Sequence, residues 1–472
     1  MIRIRIFVML GVALICFTVA ANAFDVMSLP PIADKNIQTG NRMLYEKEML
    51  ENSTQVENLS NDYLMDVNEI PVRFDETQLW RIYNISNDMR NEMPVAETLE
   101  NKFGGVIWKE NSKFLDISIG KEHLKAARSF LIDNQLDSEI LNGNIQDLID
   151  MEQLEGAEAT QGIAGRRIKK AARSGMNWKD YQDLDVIYAF MREIRGKFPN
   201  ICRLYTIGKT TEGRDLKVLR ITESESNNAI WIDGGIHARE WISPSTVTYI
   251  LNELITNWSN QPSYIKQKTW YIMPVLNPDG YMYSRKTNRL WRKNRRQNSR
   301  STCRGVDLNR NFNINWRGQG SSSNPCSDVY RGASAASEPE TKSLVNFLAS
   351  QKSKLKSYLT FHSYGQVIVF PWGYKAAMVS DAGRLKAVAN KAVKTIKQRT
   401  GVTYRAGTTY KLLGIASGGS DDWTRATLGI KYVYTIELRD RGQRGFILPP
   451  KQIIGTGKEG LAMVQAVAQA FS

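Results

Sequence analysis

Cysteine is scarce: four residues in a chain of 472, too few for a disulfide-stapled scaffold. Proline, at 14, and glycine, at 34, stay in globular proportions, which excludes collagen-like and low-complexity chains. No stretch supplies the roughly 20 apolar residues that a membrane span needs. The apolar run Ile6 to Ala20 follows Arg3 and Arg5 and leads into Ala21-Asn22-Ala23, the pattern of a signal peptide over residues 1–23. A secreted, extracellular protein is the expectation, with Asn52, Asn58, Asn84 and Asn257 in sequons open to glycans. Histidine is scarcest of all, at positions 123, 237 and 362 only.

What is plentiful is charge, unevenly placed. The formal net charge is +15, and residues 174–472 hold 44 Lys and Arg against 22 Asp and Glu, so the first part of the chain is acidic and the second basic. Opposite signs favour internal pairing over capture of an external polyanion. No specific nucleic-acid partner follows.

Residues 24–65 are polar, Asn/Glu-rich and aperiodic, reading as an acidic flexible leader. Residues 66–155 read as a small α+β unit, with β-like runs at 78–83, 106–108 and 114–119 and helical apolar spacing at Leu124, Ala127, Phe130 and Leu131. A linker over 156–173 ends in Arg166-Arg-Ile-Lys-Lys-Ala-Ala-Arg173. Such a run is either a solvated face or, between an acidic and a basic region, a site for a trypsin-like activating protease. From 174 to 472 helical patterns alternate with buried-strand runs at 229–233, 269–275, 355–361 and 432–436, the signature of α/β architecture. Asn277-Pro-Asp-Gly280 reads as a turn that puts Tyr281 and the basic stretch after it into an extended loop.

His123 opens a predicted amphipathic helix and reads as a solvated residue. His237 follows an apolar strand and a Gly234-Gly235 turn and stands three residues before Glu240. On a tight or helical turn that spacing lets an imidazole and a carboxylate reach one ion. A lone pair of this kind is weak, but His362 closes another buried-looking strand, and open α/β sheets build sites beyond the carboxyl ends of strands. Two His, one Glu and a free fourth position make a catalytic zinc set.

Six ordered motifs then carry a resemblance: Gly234-Gly-Ile-His-Ala-Arg-Glu-Trp-Ile-Ser-Pro, Asn277-Pro-Asp-Gly-Tyr, Asn288-Arg-Leu-Trp-Arg-Lys, Gly305-Val-Asp-Leu-Asn-Arg-Asn-Phe, Phe361-His-Ser-Tyr and Thr435-Ile-Glu-Leu-Arg-Asp. Residues 174–472 resemble the zinc metallocarboxypeptidases of the pancreatic A/B type, and residues 70–153 look like that family's inhibitory activation segment. The resemblance implies a three-layer α/β/α carboxypeptidase domain around a mixed sheet, preceded by a small ferredoxin-like α+β prosegment. It also implies one Zn2+ held by His237, Glu240 and His362, with Asp307 orienting one imidazole. Glu437 matches the general base that works with zinc-activated water; a salt bridge to Arg439 is the bland alternative. Arg292 matches the arginine that steadies the oxyanion, Arg239 one lining the groove, and Asn309 and Arg310 the pair that receives the free carboxylate. Ser363 and Tyr364 fall at substrate-binding positions. Cys303 and Cys326 match the family disulfide, which leaves Cys202 as a buried free thiol.

Two positions bear on activity and specificity. The family carries a mobile Tyr where Gly414 stands, so a hydroxyl donor to the bound C-terminus is missing, with Tyr410 nearby. Asp421, after Gly418-Gly-Ser, resembles the acidic pocket floor of B-type enzymes, implying a preference for C-terminal Lys or Arg; the alternatives are an A-like preference for aromatic or aliphatic residues, with Asp421 only capping a loop, and a catalytically weakened peptide-binding homologue. Polyanion binding through Arg285 to Arg300 is a further rival. The expected partners are peptide or protein C-termini, the chain's own prosegment as inhibitor and a trypsin-like activating protease, on a monomer.

Overall fold

The structure is a computed structural model that describes residues 70–83, 85, 94–111, 113–164, 175–224 and 227–471. The expected signal peptide, the leader, the sequons at Asn52, Asn58 and Asn84, and the basic run 166–173 lie outside the described residues. Among the described residues no helix is long and apolar enough to cross a membrane.

Residues 78–142 form a four-stranded antiparallel sheet from β1 (Gln78–Tyr83), β2 (Val106–Glu110), β3 (Phe114–Ile119) and β4 (Ser138–Asn142), in the order β2-β3-β1-β4. Because successive side chains point to opposite faces, β1 serves two cores. Trp80 and Ile82 pack with Leu99, Leu115, Ile117 and Leu131 beneath the helices Val95–Phe103 and Leu124–Asp133. Leu79 faces the other way and joins Trp108, Leu290, Tyr364 and Phe446 in a core shared with the residues after 174. Burying side chains such as Leu79, Leu290 and Phe446 there contributes on the order of 1.5–3 kcal/mol each. The helix Ile145–Ala164 follows and runs through the position where the sequence suggested a linker begins.

The main sheet has eight strands: β5 (Cys202–Lys209), β6 (Asp215–Ile221), β7 (Ala229–Asp233), β8 (Thr269–Met273), β9 (Leu355–His362), β10 (Val367–Phe370), β11 (Arg405–Thr408) and β12 (Tyr432–Glu437). Their order is β11-β10-β12-β9-β7-β8-β6-β5. Strands β12, β9, β7 and β8 run parallel to one another, while β10 against β12 and β6 against its neighbours are antiparallel, giving the expected mixed sheet. The central strands β7 and β8 are buried throughout, which is why they read as unbroken apolar runs instead of alternating ones. Helices cover the sheet; Leu344, Leu348 and Trp423 pack onto Trp231, Tyr271 and Tyr358.

Two expectations are corrected. Asn277-Pro-Asp-Gly280 is a helix start: the Asn277 side chain accepts from the Gly280 N–H at 3.0 Å, Pro278 occupies the first turn, and the helix runs Pro278–Lys286. Turn and N-cap share the same residue preferences, so the local sequence could not separate them. The basic stretch 285–300, expected in an extended loop, begins inside that helix and is largely covered. Arg289, Lys293 and Arg295 are buried, and of its cations Lys286 and Arg300 alone are exposed. Guanidinium groups from it stack on rings instead, Arg289 on Trp241 at 3.6 Å and Arg295 on Tyr283 at 3.5 Å.

Candidate active site

The parallel ladder brings the ends of three strands together. Glu437 is in register with His362, and Asp233 with Thr360, so whatever follows β7, β9 and β12 meets on one side of the sheet. After β7 the chain turns sharply through Gly235, which has φ +63, and a Cβ on Gly234 would come within 2.6 Å of Ser243 Oγ. The Gly235 N–H donates to Ser243 Oγ at 2.9 Å, and that hydroxyl donates to the Phe361 carbonyl at 2.6 Å. One serine thus ties the loop after β7 to Phe361, next to the last residue of β9.

The tie places His237 and Glu240 against His362, all three buried. His237 Nδ1 lies 2.7 Å from Glu240 Oε1, His362 Nδ1 3.3 Å from Glu240 Oε2, and the two Nδ1 atoms 3.2 Å from each other. Donor bonds of about 2.0–2.1 Å arranged tetrahedrally set ligand atoms roughly 3.3 Å apart. Two nitrogens and a carboxylate converging at that spacing fit a zinc ion, and these three are the set of His, Cys, Asp and Glu donors that could hold a metal among the described residues. Burial alone would raise the Glu240 carboxyl, but the two imidazoles hold it well below the usual range.

Asp307 sits behind His237 and is wholly buried. Its Oδ1 lies 3.2 Å from His237 Nε2 and accepts from the Asn309 N–H at 2.9 Å; its Oδ2 accepts from Arg292 Nε and Nη2 at 3.1 and 2.8 Å. Desolvation pushes this carboxyl up, yet Arg292, His237 and Arg310 together keep it well below the ordinary value. Glu437 is partly buried at the end of β12. Burial pushes it up to about 7, Glu240 adding to the rise while His362, Lys109 and Arg292 oppose it. The alternative pairing with Arg439 does not occur, because Arg439 binds Glu459.

The remaining expected residues are held by the following contacts. Asn309 Oδ1 accepts from the Ser420 N–H at 2.9 Å, and Arg310 donates to the carbonyls of Gly320 and Asn309 at 2.6 and 3.1 Å. Asp421 is buried in the first turn of the helix Ser420–Leu428; its Oδ2 accepts from the hydroxyls of Thr435 and Thr409 at 3.2 and 3.4 Å. Among the described residues no lysine or arginine forms an ion pair with it. The Ser363 N–H donates to Glu240 Oε2 at 3.1 Å. Cys303 and Cys326 are bonded, and Cys202 is free and buried.

Arg239 and Tyr364 face the N-terminal unit. Arg239 donates to Ile107 O at 2.8 Å and to Asp328 at 3.0 Å, and its guanidinium lies 4.3 Å from the Phe446 ring centre. The Tyr364 hydroxyl donates to Asp116 Oδ2 at 2.9 Å, and Arg81 holds Asp116 with two bonds of 2.7 and 2.8 Å. Lys109 donates to Tyr364 O at 3.1 Å; a Cβ on Gly365 would meet both its Nζ, at 2.6 Å, and Glu437 Cβ, at 3.5 Å. Gly414, with φ +92, lies beside Glu110 O and Asn111 Cα. Sequence reasoning singled out none of Lys109, Asp116 or Thr360. A lysine on β2 and an aspartate on β3 look in sequence like any others until the sheet is docked.

A buried two-histidine, one-carboxylate donor set at the strand ends of a mixed α/β sheet defines a metalloenzyme. The pattern of the zinc carboxypeptidase family matches residues 187–463. Zinc carboxypeptidase A 1 of Anopheles gambiae is 34% identical over 389 residues, covering 81% of this chain and 87% of that protein. Carboxypeptidase B of Astacus astacus is 41% identical over 295 residues, covering 62% and 97%. The crystal structure of carboxypeptidase A from Helicoverpa armigera superposes with a TM-score of 0.75 at 26% identity, covering 84% of this chain and 98% of that one. The chain belongs to the zinc carboxypeptidase family: it is a metallocarboxypeptidase, a hydrolase with zinc as its cofactor.

Proposed function

We propose that the chain is a secreted pro-carboxypeptidase that removes C-terminal Lys or Arg after its N-terminal unit is cut away. His237, Glu240 and His362 hold the zinc. Zinc there supplies Lewis acidity, which polarises a carbonyl and makes water a stronger acid. Arg310, with Asn309 beside it, receives the free C-terminal carboxylate, for which a guanidinium fork is suited. Arg292 faces the oxygen of the scissile carbonyl and stabilises the charge that grows on it. Glu437 takes a proton from water as its oxygen bonds to the carbonyl carbon, then hands that proton to the amine nitrogen as the C–N bond breaks. A carboxyl held near 7 suits both halves of that task.

The single observation that carries the basic preference is Asp421: a buried carboxylate held by two threonine hydroxyls and, among the described residues, without a paired cation. A lysine or arginine side chain would complete the pair, whereas an aliphatic one would leave it buried and unpaired. Latency is supported by the hairpin of β2 and β3, whose Ile107, Asp116 and Lys109 engage Arg239, Tyr364 and the surroundings of Glu437, groups a peptide substrate would need. The acidic charge of the N-terminal region favours that docking.

Trypsin treatment of the purified chain, followed by release of C-terminal Lys, Arg, Phe, Leu and Glu with and without a chelator, tests the proposal. Expected are activity only after cleavage, preference for Lys and Arg, and loss with chelator. Preference for Phe or Leu overturns the role of Asp421. Full activity before cleavage overturns latency.

A further inference from the structure

The two histidines of the site turn the same atom inward and are held differently from outside. Each presents Nδ1 to Glu240 and to the other ring, so Nε2 is the outer atom of both. His237 Nε2 meets the Asp307 carboxylate directly. His362 Nε2 meets a hydroxyl instead, Thr360 Oγ1 at 3.2 Å, two residues back on β9. Behind Thr360, in register across the ladder, stands Asp233 at the end of β7. Asp233 is completely buried; its Oδ2 accepts from Trp231 Nε1 at 2.6 Å, while its Oδ1 is a buried oxygen without a hydrogen-bond partner.

We propose that Thr360 is a positioning residue for His362, passing to it the orienting effect of Asp233. A threonine hydroxyl has one proton to give and can accept at the same time. Thr360 stands in register with Asp233, whose Oδ1 is the buried oxygen left without a partner, so that oxygen is the acceptor available to the hydroxyl proton, and Thr360 Oγ1 then accepts from His362 Nε2–H. That order leaves His362 Nδ1 bare and facing Glu240, the tautomer a zinc ligand requires. The reverse order would put the ring proton on Nδ1, where it would block the ion. His237 reaches the same state through a direct carboxylate, and His362 through a hydroxyl relay. The inference rests on the reading of His237, Glu240 and His362 as the zinc site.

The test measures zinc affinity of the full chain by competition with a chromophoric chelator, for wild type, Thr360→Val and Thr360→Ser. Thr360→Val keeps the volume and removes the hydroxyl, and it is expected to weaken zinc binding about 10–100-fold, while Thr360→Ser stays within about threefold of wild type. The visible spectrum of the cobalt-substituted protein should shift for valine and return for serine. If valine impairs folding, imidazole 15N spectra of the zinc-free wild type, taken where the ring is neutral, decide alone: His362 should carry its proton on Nε2, and a proton on Nδ1 overturns the proposal. Wild-type zinc binding with Thr360→Val unchanged also overturns it and leaves the zinc site standing. A wild-type chain that binds no zinc overturns both.

Discussion

Glu152 and Arg289 form a buried two-point ion pair, with Nε to Oε2 at 2.7 Å and Nη2 to Oε1 at 2.9 Å. It links the helix that leaves the N-terminal sheet to the loop that carries Arg292. The same guanidinium also donates to the carbonyls of Arg239 and Phe446 at 2.8 and 2.7 Å, so its position cannot relax toward water. Glu152→Leu strands that charge, and the full chain should lose about 3–5 kcal/mol. Urea unfolding checks this; a loss under about 1 kcal/mol would mean the pair is not a structural tie.

Glu437→Gln should lower kcat by roughly 10²–10⁴, the usual contribution of a general base, with zinc content unchanged. Parallel turnover assays and elemental analysis of the trypsin-treated protein make the comparison. Loss of zinc alongside turnover would instead give Glu437 a part in holding the metal.

Asp421→Asn should cost about 2–5 kcal/mol in kcat/KM for C-terminal Arg, the loss expected when one partner of a buried charge pair is removed. C-terminal Leu should be affected far less. Equal losses on both substrates would show that Asp421 supports the helix Ser420–Leu428 without reading the side chain.

Lys109→Met should raise residual hydrolysis by the uncut chain, because it removes the cation that stands beside Glu437. A small C-terminal Lys substrate is the appropriate probe. No change relative to wild type would leave latency to steric cover by the hairpin alone.

Glu340 predicts a pH effect on stability. It is fully buried and accepts from the Thr211 N–H and Asn294 Nδ2 at 3.1 Å each. Burial pushes its carboxyl from 4.5 up to about 7, with Asp279 and Glu338 adding to the rise. The folded state therefore holds the proton more tightly than the unfolded one. Its stabilising contribution is complete below pH 4.5 and is lost as pH rises through about 7, a change of about 3 kcal/mol. Between pH 4.5 and 7.5, wild type should lose stability relative to Glu340→Gln. Unfolding curves at both values check the sign, and a flat or rising difference would contradict it.

The zinc donor set was legible in the sequence because its chemistry is local. His237 and Glu240 share one turn and His362 ends a strand that announces itself as an apolar run, whereas Asp307, Asn309, Arg310 and Glu437 were reached only through the resemblance of their motifs to the carboxypeptidases. Asn277 was misread as a turn residue because capping and turning call on the same side-chain chemistry. The basic stretch 285–300 left polyanion binding open as a rival since composition carries no information about which cations find rings and carboxylates to cover them.

The sequence by itself determined the buried central strands β7, β8, β9 and β12 and the zinc donor set, for these depend on apolar runs and on residue identity at short range. Only the tertiary structure decided that Lys109 stands beside Glu437, that Asp116 takes the Tyr364 hydroxyl, and that Thr360 separates His362 from Asp233. Each of these pairs depends on which strands become neighbours and in what register. Registers are selected by burying the whole core at once, and no single segment carries that choice.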